Sequence, residues 1–162
     1  MNNTENQFGL IASNSMYGFS NFDPASIQEE DLILVAIAMD ISPSMKGHET
    51  ELNEAFKEFI QEMQQSHVAN KLMVKVSEFN EDVKVKSGFM PVANIDLSAV
   101  TFRPTGNSTA LADASHEAIE SVVEYRKTLE MQGINCKVLV FVITDGEENS
   151  SRNNSLSDVG KL

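Results

Sequence analysis

The feature that most constrains this chain is a pair of unbroken apolar runs, each stopped by an aspartate. Leu32 to Met39 is apolar throughout and bounded by Asp31 and Asp40, and Val138 to Ile143 is a second run leading into Thr144-Asp145-Gly146. Runs this short fall below the length of a typical helix and suit strands buried on both faces, as in a parallel sheet. Parallel strands cannot be joined by a tight turn, so the chain between them has to supply a crossover, usually a helix.

It supplies two. Leu52, Ala55, Phe56, Phe59, Ile60 and Met63 recur at helical spacing and predict an amphipathic helix from about Glu49 to Ser66, directly after the Asp40 loop. Leu111, Ala114, Ala118, Val122 and Leu129 predict a second helix from about Ser108 to Met131, with Gly133 as its stop. Between the helices, Leu72 to Phe79 and Val83 to Phe89 read as strands joined by Asn80-Glu81-Asp82, a hairpin whose second, Lys-bearing strand lies at a sheet edge. The order β-α-β-β-α-β makes the fold class α/β: a doubly wound, mainly parallel, Rossmann-like sheet with one antiparallel edge strand. Ligands in such sheets bind at the carboxyl ends of the strands near the switch point, where Asp40 and Asp145 both fall.

A chain of 162 residues has room for one sizeable core. The domain is expected over residues 30–162. Residues 1–29, rich in Asn and Ser and without periodicity, read as an N-terminal arm. Its apolar and aromatic residues Phe8, Leu10, Tyr17, Phe19 and Phe22 either pack back on the domain or meet a partner.

With 24 acidic against 12 basic side chains the formal charge is −12, which repels a phosphate backbone unless a basic face stands apart. Lys71, Lys75, Lys84 and Lys86 are the nearest thing to one, and they alternate with apolar residues as the wet side of strands would. Nucleic acid is therefore not an expected partner. No apolar stretch approaches the ~20 residues of a membrane span, and the first thirty residues hold no Lys or Arg and no signal-peptide core. The lone Cys136 reads as a small buried hydrophobe. The expectation is a cytoplasmic protein that does not enter a membrane.

Asp40-Ile41-Ser42-Pro43-Ser44-Met45 places a carboxylate and two hydroxyls on alternate residues of a loop leaving a buried strand. Three oxygens at that spacing can converge on one hard cation, and magnesium accepts hydroxyls while keeping some of its waters. His48, His67 and His116 are scattered, and none has a metal-binding spacing partner. Each piece also has a structural reading: Asp40 as a strand end, Ser42-Pro43-Ser44 as a turn, Thr109 as the cap of the second helix. Lys46 reads as a solvated lysine after the turn, Asp113 and Glu117 as acids facing the dipole at the helix start, and Glu147 and Glu148 as negative field beside the ion.

Taken in order, Asp40-x-Ser42-x-Ser44, then Thr109 within Gly106-Asn-Ser-Thr-Ala-Leu-Ala-Asp-Ala114, then Thr144-Asp145-Gly146, the chain resembles the metal-ion-dependent adhesion site of von Willebrand factor A (VWA) domains. The Met45 that follows the first motif is shared with prokaryotic members. The resemblance covers roughly Asp31 to Ile143 and its flanks. It implies that Ser42 and Ser44 ligate the metal through their hydroxyls, that Thr109 does so directly or through water, and that Asp40 and Asp145 hold metal-bound waters. It further implies a magnesium ion, with manganese or calcium as alternatives, and a protein partner that supplies a Glu or Asp to the remaining position.

Two departures stand out. Asn107-Ser108-Thr109 replaces the family's Gly-Gly-Thr, which leaves Thr105 as an alternative to Thr109. The family also continues through about two more strands, where residues 150–162 offer one short Ser- and Asn-rich segment, so the sheet is expected to lack its last strands and to be exposed at the fourth. The function expected is a non-enzymatic, metal-dependent protein-binding module of the intracellular bacterial or phage kind. The rival is a magnesium-dependent phosphoryl-transfer enzyme or phosphatase, since acids at the strand ends of an α/β sheet also serve that chemistry. Against it stand the absence of an Asp-x-Asp pair at the first strand, of a Gly-x-x-x-x-Gly-Lys loop, and of a His or Cys base near the motif.

Overall fold

The computed structural model describes residues 31–146 and 148–161, so the expected arm and Glu147 lie outside the described residues. The main elements are β1 (Leu32–Asp40), α1 (Glu49–Gln65), β2 (Leu72–Phe79), β3 (Val83–Pro91), α2 (Leu111–Glu130), β4 (Cys136–Ile143) and the short α3 (Leu156–Val159). The described strands form one sheet in the order β3-β2-β1-β4. β1 runs parallel to both β2 and β4, and β2 and β3 form an antiparallel hairpin with β3 at the edge. This is the mixed, mostly parallel α/β sheet that the strand and helix order predicts.

Strand alternation sorts the core into two layers. Val35, Ile37 and Met39 of β1 join Val74, Val76 and the α1 residues Leu52, Phe56 and Ile60 on one face. Leu34, Ala36 and Ala38 join Met73, Phe79 and the α2 residues Ala114, Ala118 and Val122 on the other. β1 is thus buried on both faces, and each large side chain so buried contributes about 1.5–3 kcal/mol. No described helix is long and apolar enough to cross a membrane.

Expectations fail at three places, each for a physical reason. Lys75 is not on the wet side of a strand. It is fully buried on the α2 face of β2 and paired with Glu117 of α2. Ala36 is its neighbour across β1, and Ala114 and Ala118 line the same layer, so small residues leave room for the lysine stem. Glu117, in turn, is not a dipole-facing acid at the helix start, because its carboxylate meets Lys75.

β4 is the second correction. Its burial alternates instead of being complete, with Leu139, Phe141 and Ile143 at 48%, 36% and 39% exposure on the α1 face. Among the described strands β4 lies at the end of the sheet with β1 as its neighbour, and Phe59 of α1 meets Phe141 edge-to-face. The exposed fourth strand that the sequence predicts is therefore present. Third, α2 begins at Leu111, three residues later than expected, because residues 106–110 run across the top of the sheet.

Candidate metal centre

The three motifs meet at the carboxyl ends of β1 and β4. Asp40 closes β1 with no exposed surface. Its Oδ1 accepts the backbone N–H of Ser42 at 2.7 Å, which folds the next residues into a tight turn, and Pro43–Met45 form a single 3-10 turn. The turn brings the hydroxyls of Ser42 and Ser44 to 3.0 Å from one another. Ser44 Oγ then donates to Asp145 Oδ1 at 2.8 Å, bridging β1 to the loop after β4.

The Thr109 loop is held over this turn from several sides. Asn53 of α1 both donates to Phe102 O and accepts Phe102 N, each at 2.8 Å, while Phe56 meets the Phe102 ring edge-on. Thr105 N donates to Ile41 O at 2.7 Å. Gly106 has φ +88°, and a Cβ there would collide with the carboxylate of Glu81, so the close approach needs glycine. Ala110 N donates to Asn80 O at 2.7 Å. Thr109 itself is clamped by Asn149, whose Oδ1 accepts Thr109 N at 2.7 Å and whose N–H donates to Thr109 O at 3.2 Å.

Gly146 shows how close the oxygens come. A Cβ on Gly146 would lie 3.3 Å from Thr109 Oγ1, 3.4 Å from Asp40 Oδ2 and 3.6 Å from Ser44 Oγ. Thr109 is buried and faces the cluster, whereas Thr105 is exposed and ties the loop down through its backbone. The structure thus brings together all five predicted residues, Asp40, Ser42, Ser44, Thr109 and Asp145. Thr109 is not the cap of α2: that position is Ala110, without a side-chain cap bond.

Among the described residues no three His, Cys, Asp or Glu side chains gather as metal ligands. The cluster is instead two carboxylates and three hydroxyls. Neighbouring ligands of an octahedral magnesium ion stand about 2.9 Å apart, given bonds of about 2.0–2.1 Å, and the Ser42 and Ser44 hydroxyls have that spacing. The donor set therefore fits a small, hard dication better than a soft one. Asp40, held by hydrogen bonds on both oxygens, orients the turn, and the exposed Asp145 is tied to it through Ser44 Oγ.

Three participating residues were not among the predicted ligands. Thr144 Oγ1 donates to Asp40 Oδ2 at 2.6 Å and accepts Gly146 N at 3.0 Å, fixing the Asp-Gly turn. Asn149 clamps Thr109. Glu148 accepts Ala112 N at 2.6 Å together with Ser150 N, Ser151 N and Ser151 Oγ. The sequence reading made Glu148 a source of field beside the ion, whereas here it caps α2 from outside the helix. Asp113 likewise accepts the N–H groups of Arg152, Asn153 and Asn154. A Thr within two residues of the Asp, and an Asn and a Glu just beyond, are signals for such bracing.

Glu148 makes this bracing pH-dependent. Burial pushes its pKa up, but the hydrogen bonds from Ser151, Ala112 and Ser150 outweigh that and leave it below its ordinary 4.5. A carboxylate whose pKa is depressed in the folded state adds stability above its unfolded pKa and loses it as pH falls through the folded one. Glu148→Gln is therefore expected to cost about 1–3 kcal/mol at pH 7, and the gap from the parent protein should close as pH drops below the ordinary carboxylate range. Chemical denaturation at a series of pH values checks this, and a gap independent of pH would contradict it.

No protein-family model matches the chain, and no curated protein does. Among solved structures, it is similar to a pilus adhesin, SpaC from Lactobacillus rhamnosus GG in an open conformation, at TM-score 0.56 and 15% identity over 75% of this chain and 15% of that one. It is also similar to a point mutant of the PilB minor pilin from Streptococcus sanguinis, at TM-score 0.57 and 17% identity over 76% of this chain and 32% of that one. A third structure, the ArnB paralog VWA2 from Sulfolobus acidocaldarius, aligns at TM-score 0.49 and 22% identity over 76% of this chain and 30% of that one. The chain spans less than a third of the length of each. At these identities, what the chain has in common with the adhesin and the pilin is the fold.

Proposed function

We propose that this chain is a VWA-type, metal-dependent protein-binding module that presents a divalent cation to a carboxylate of a partner protein. The observation that carries the reading is the cluster of Ser42, Ser44 and Asp145 oxygens linked at 3.0 and 2.8 Å, with the Asp40 and Thr109 oxygens around the same glycine. Ser42, Ser44 and Thr109 would hold magnesium, or manganese, while Asp40 and Asp145 hold its waters. Neutral hydroxyls next to the ion leave its charge under-compensated, so an incoming Glu or Asp is strongly attracted. A cytoplasmic setting belongs to this reading on the sequence grounds given above.

The surroundings support a partner that is basic around that carboxylate. Beside Ala110 lies a groove of about 460 Å³ whose lining sets Glu81, Asp82, Asp113 and Glu120 against Arg152, with Glu117 there already paired with Lys75. Such a surface repels acidic neighbours and steers basic ones toward the site.

Manganese tests the reading without knowledge of the partner. Bound Mn2+ should enhance water proton relaxation, and glutarate, a small carboxylate probe, should lower the enhancement by displacing a bound water. Ser44→Ala should weaken Mn2+ binding at least tenfold. Unchanged enhancement across a glutarate titration contradicts carboxylate capture. Magnesium-dependent hydrolysis of p-nitrophenyl phosphate that disappears in Asp40→Asn would overturn the reading in favour of the phosphoryl-transfer enzyme.

A further inference from the structure

Thr109 differs from the serines of the candidate site in what places it. Ser42 and Ser44 stand on a turn that Asp40 holds from within the same loop. Thr109 is buried, and both of its backbone polar groups are met by a residue forty positions later in the chain. Its N–H donates to Asn149 Oδ1 at 2.7 Å, and its carbonyl accepts Asn149 N at 3.2 Å. Asn149 is anchored in turn. Glu148 before it accepts Ala112 N, and Ser151 after it accepts Asp113 N through its hydroxyl. Asp113 then accepts the N–H groups of Arg152 and Asn154. Residues 148–154 are thus stitched to the first turn of α2, and Asn149 is held as a fixed point for the Thr109 backbone.

We propose that Asn149 is the positioning residue that sets Thr109 Oγ1 for a small dication, and so determines both the affinity of the site and its preference for magnesium or manganese over calcium. The inference rests on the metal reading given above. A partner that orients a ligand without touching the ion commonly governs metal affinity about 10–100-fold. Preference follows from rigidity. Magnesium demands nearly ideal octahedral geometry at about 2.0–2.1 Å, whereas calcium takes about 6–8 oxygens at roughly 2.3–2.6 Å in flexible arrangements. A loosened Thr109 therefore costs the small ion more than the large one. Asn149 is itself exposed, so water can satisfy the Thr109 N–H when the side chain is removed, but water does not fix its position. Linkage also requires the converse: a clamp that favours the ion is favoured by the ion to the same extent.

The test uses the 162-residue chain, with Mn2+ binding followed by water proton relaxation and Mg2+ and Ca2+ binding by competition against it. In Asn149→Ala, Mn2+ and Mg2+ binding should weaken about 10–100-fold and Ca2+ binding by clearly less, so the preference for the small ions falls. Asn149→Asp keeps the acceptor and should restore that preference, because its added charge acts on all three dications alike and leaves their ratio unchanged. In the parent protein, Mg2+ should slow hydrogen exchange of the Thr109 amide. An alanine variant that binds Mn2+ as well as the parent does, or that weakens toward all three ions by the same factor, overturns the proposal and leaves the metal centre standing. So does a preference that Asn149→Asp fails to restore, or a Thr109 amide whose exchange is indifferent to Mg2+ in a parent protein that binds it. If the parent protein binds no Mn2+, the metal centre and the role of Asn149 fall together.

Discussion

Glu117→Ala is expected to lower stability by about 3–5 kcal/mol, the usual effect of removing one partner of a buried ion pair, and so to lower Tm by roughly 6–20 °C at about 2–4 °C per kcal/mol. The reason is that Lys75 has no exposed surface and Glu117 is its ion-pair partner. Without Glu117 the buried ammonium must stay charged in an apolar layer or release its proton. Release at pH 7 sets an upper limit, since neutralising a lysine from its ordinary pKa near 10.4 costs about 1.36 kcal/mol per pH unit, or about 4.6 kcal/mol.

Burial lowers the Lys75 pKa even in the intact protein, against the opposing pull of Glu117. In Glu117→Ala only the lowering remains. A lysine depressed in the folded state binds fewer protons there than when unfolded, so the variant should regain stability as pH rises from 7 toward 10.5. The pair is also incompletely satisfied, because Glu117 Oε2 is buried without a partner among the described residues. Replacing both members by Met and Leu should therefore recover most of the loss, as apolar replacements of buried ion pairs often do. Denaturant unfolding of the two variants checks all three statements. A single variant within 1 kcal/mol of the parent would contradict the account of Lys75.

Lys75 also shows where a linear reading of the chain stops. A lysine between Val74 and Val76 follows the pattern of a strand with one wet face, and nothing local to it signals that a glutamate forty-two residues later will sit above it. The alanines that make room, Ala36 of β1 and Ala114 and Ala118 of α2, lie on two elements far apart in the chain. β1 was legible for the opposite reason: a run apolar at every position needs cover on both faces, whatever lies nearby. The same logic misjudged β4, whose residues are equally apolar, because strand order and not composition decides which strand has a neighbour on each side.

The candidate site was legible to the extent that chemistry lies close along the chain. Asp40, Ser42 and Ser44 share one turn, and its spacing alone places their oxygens together. Asp145 was marked by its place at a strand end, whereas Thr109 came from the resemblance to VWA domains. The braces were not legible, since Asn149 clamping Thr109 and Glu148 capping α2 depend on the path of the loop after β4. Asp40 needs the same revision. In the structure both oxygens of Asp40 accept hydrogen bonds, from Ser42 N and Thr144 Oγ1, so Asp40→Asn is expected to cost about 1–3 kcal/mol even without metal. Ser44 is exposed, and its hydroxyl can be removed with little loss of packing.

Ser44→Ala therefore separates the metal from the fold, and the decisive measurement is its thermal unfolding beside that of the parent protein, each in EDTA and in magnesium or manganese. An ion at a hundred times its dissociation constant adds about 2.7 kcal/mol to the folded state, which for a domain of this size is about 5–11 °C in Tm. The parent protein should show that rise, Ser44→Ala should lose most of it, and the two should melt within a few degrees of one another in EDTA. If instead millimolar metal leaves the parent Tm unchanged, or raises both proteins equally, the cluster at the ends of β1 and β4 is a hydrogen-bonded turn and not a metal centre.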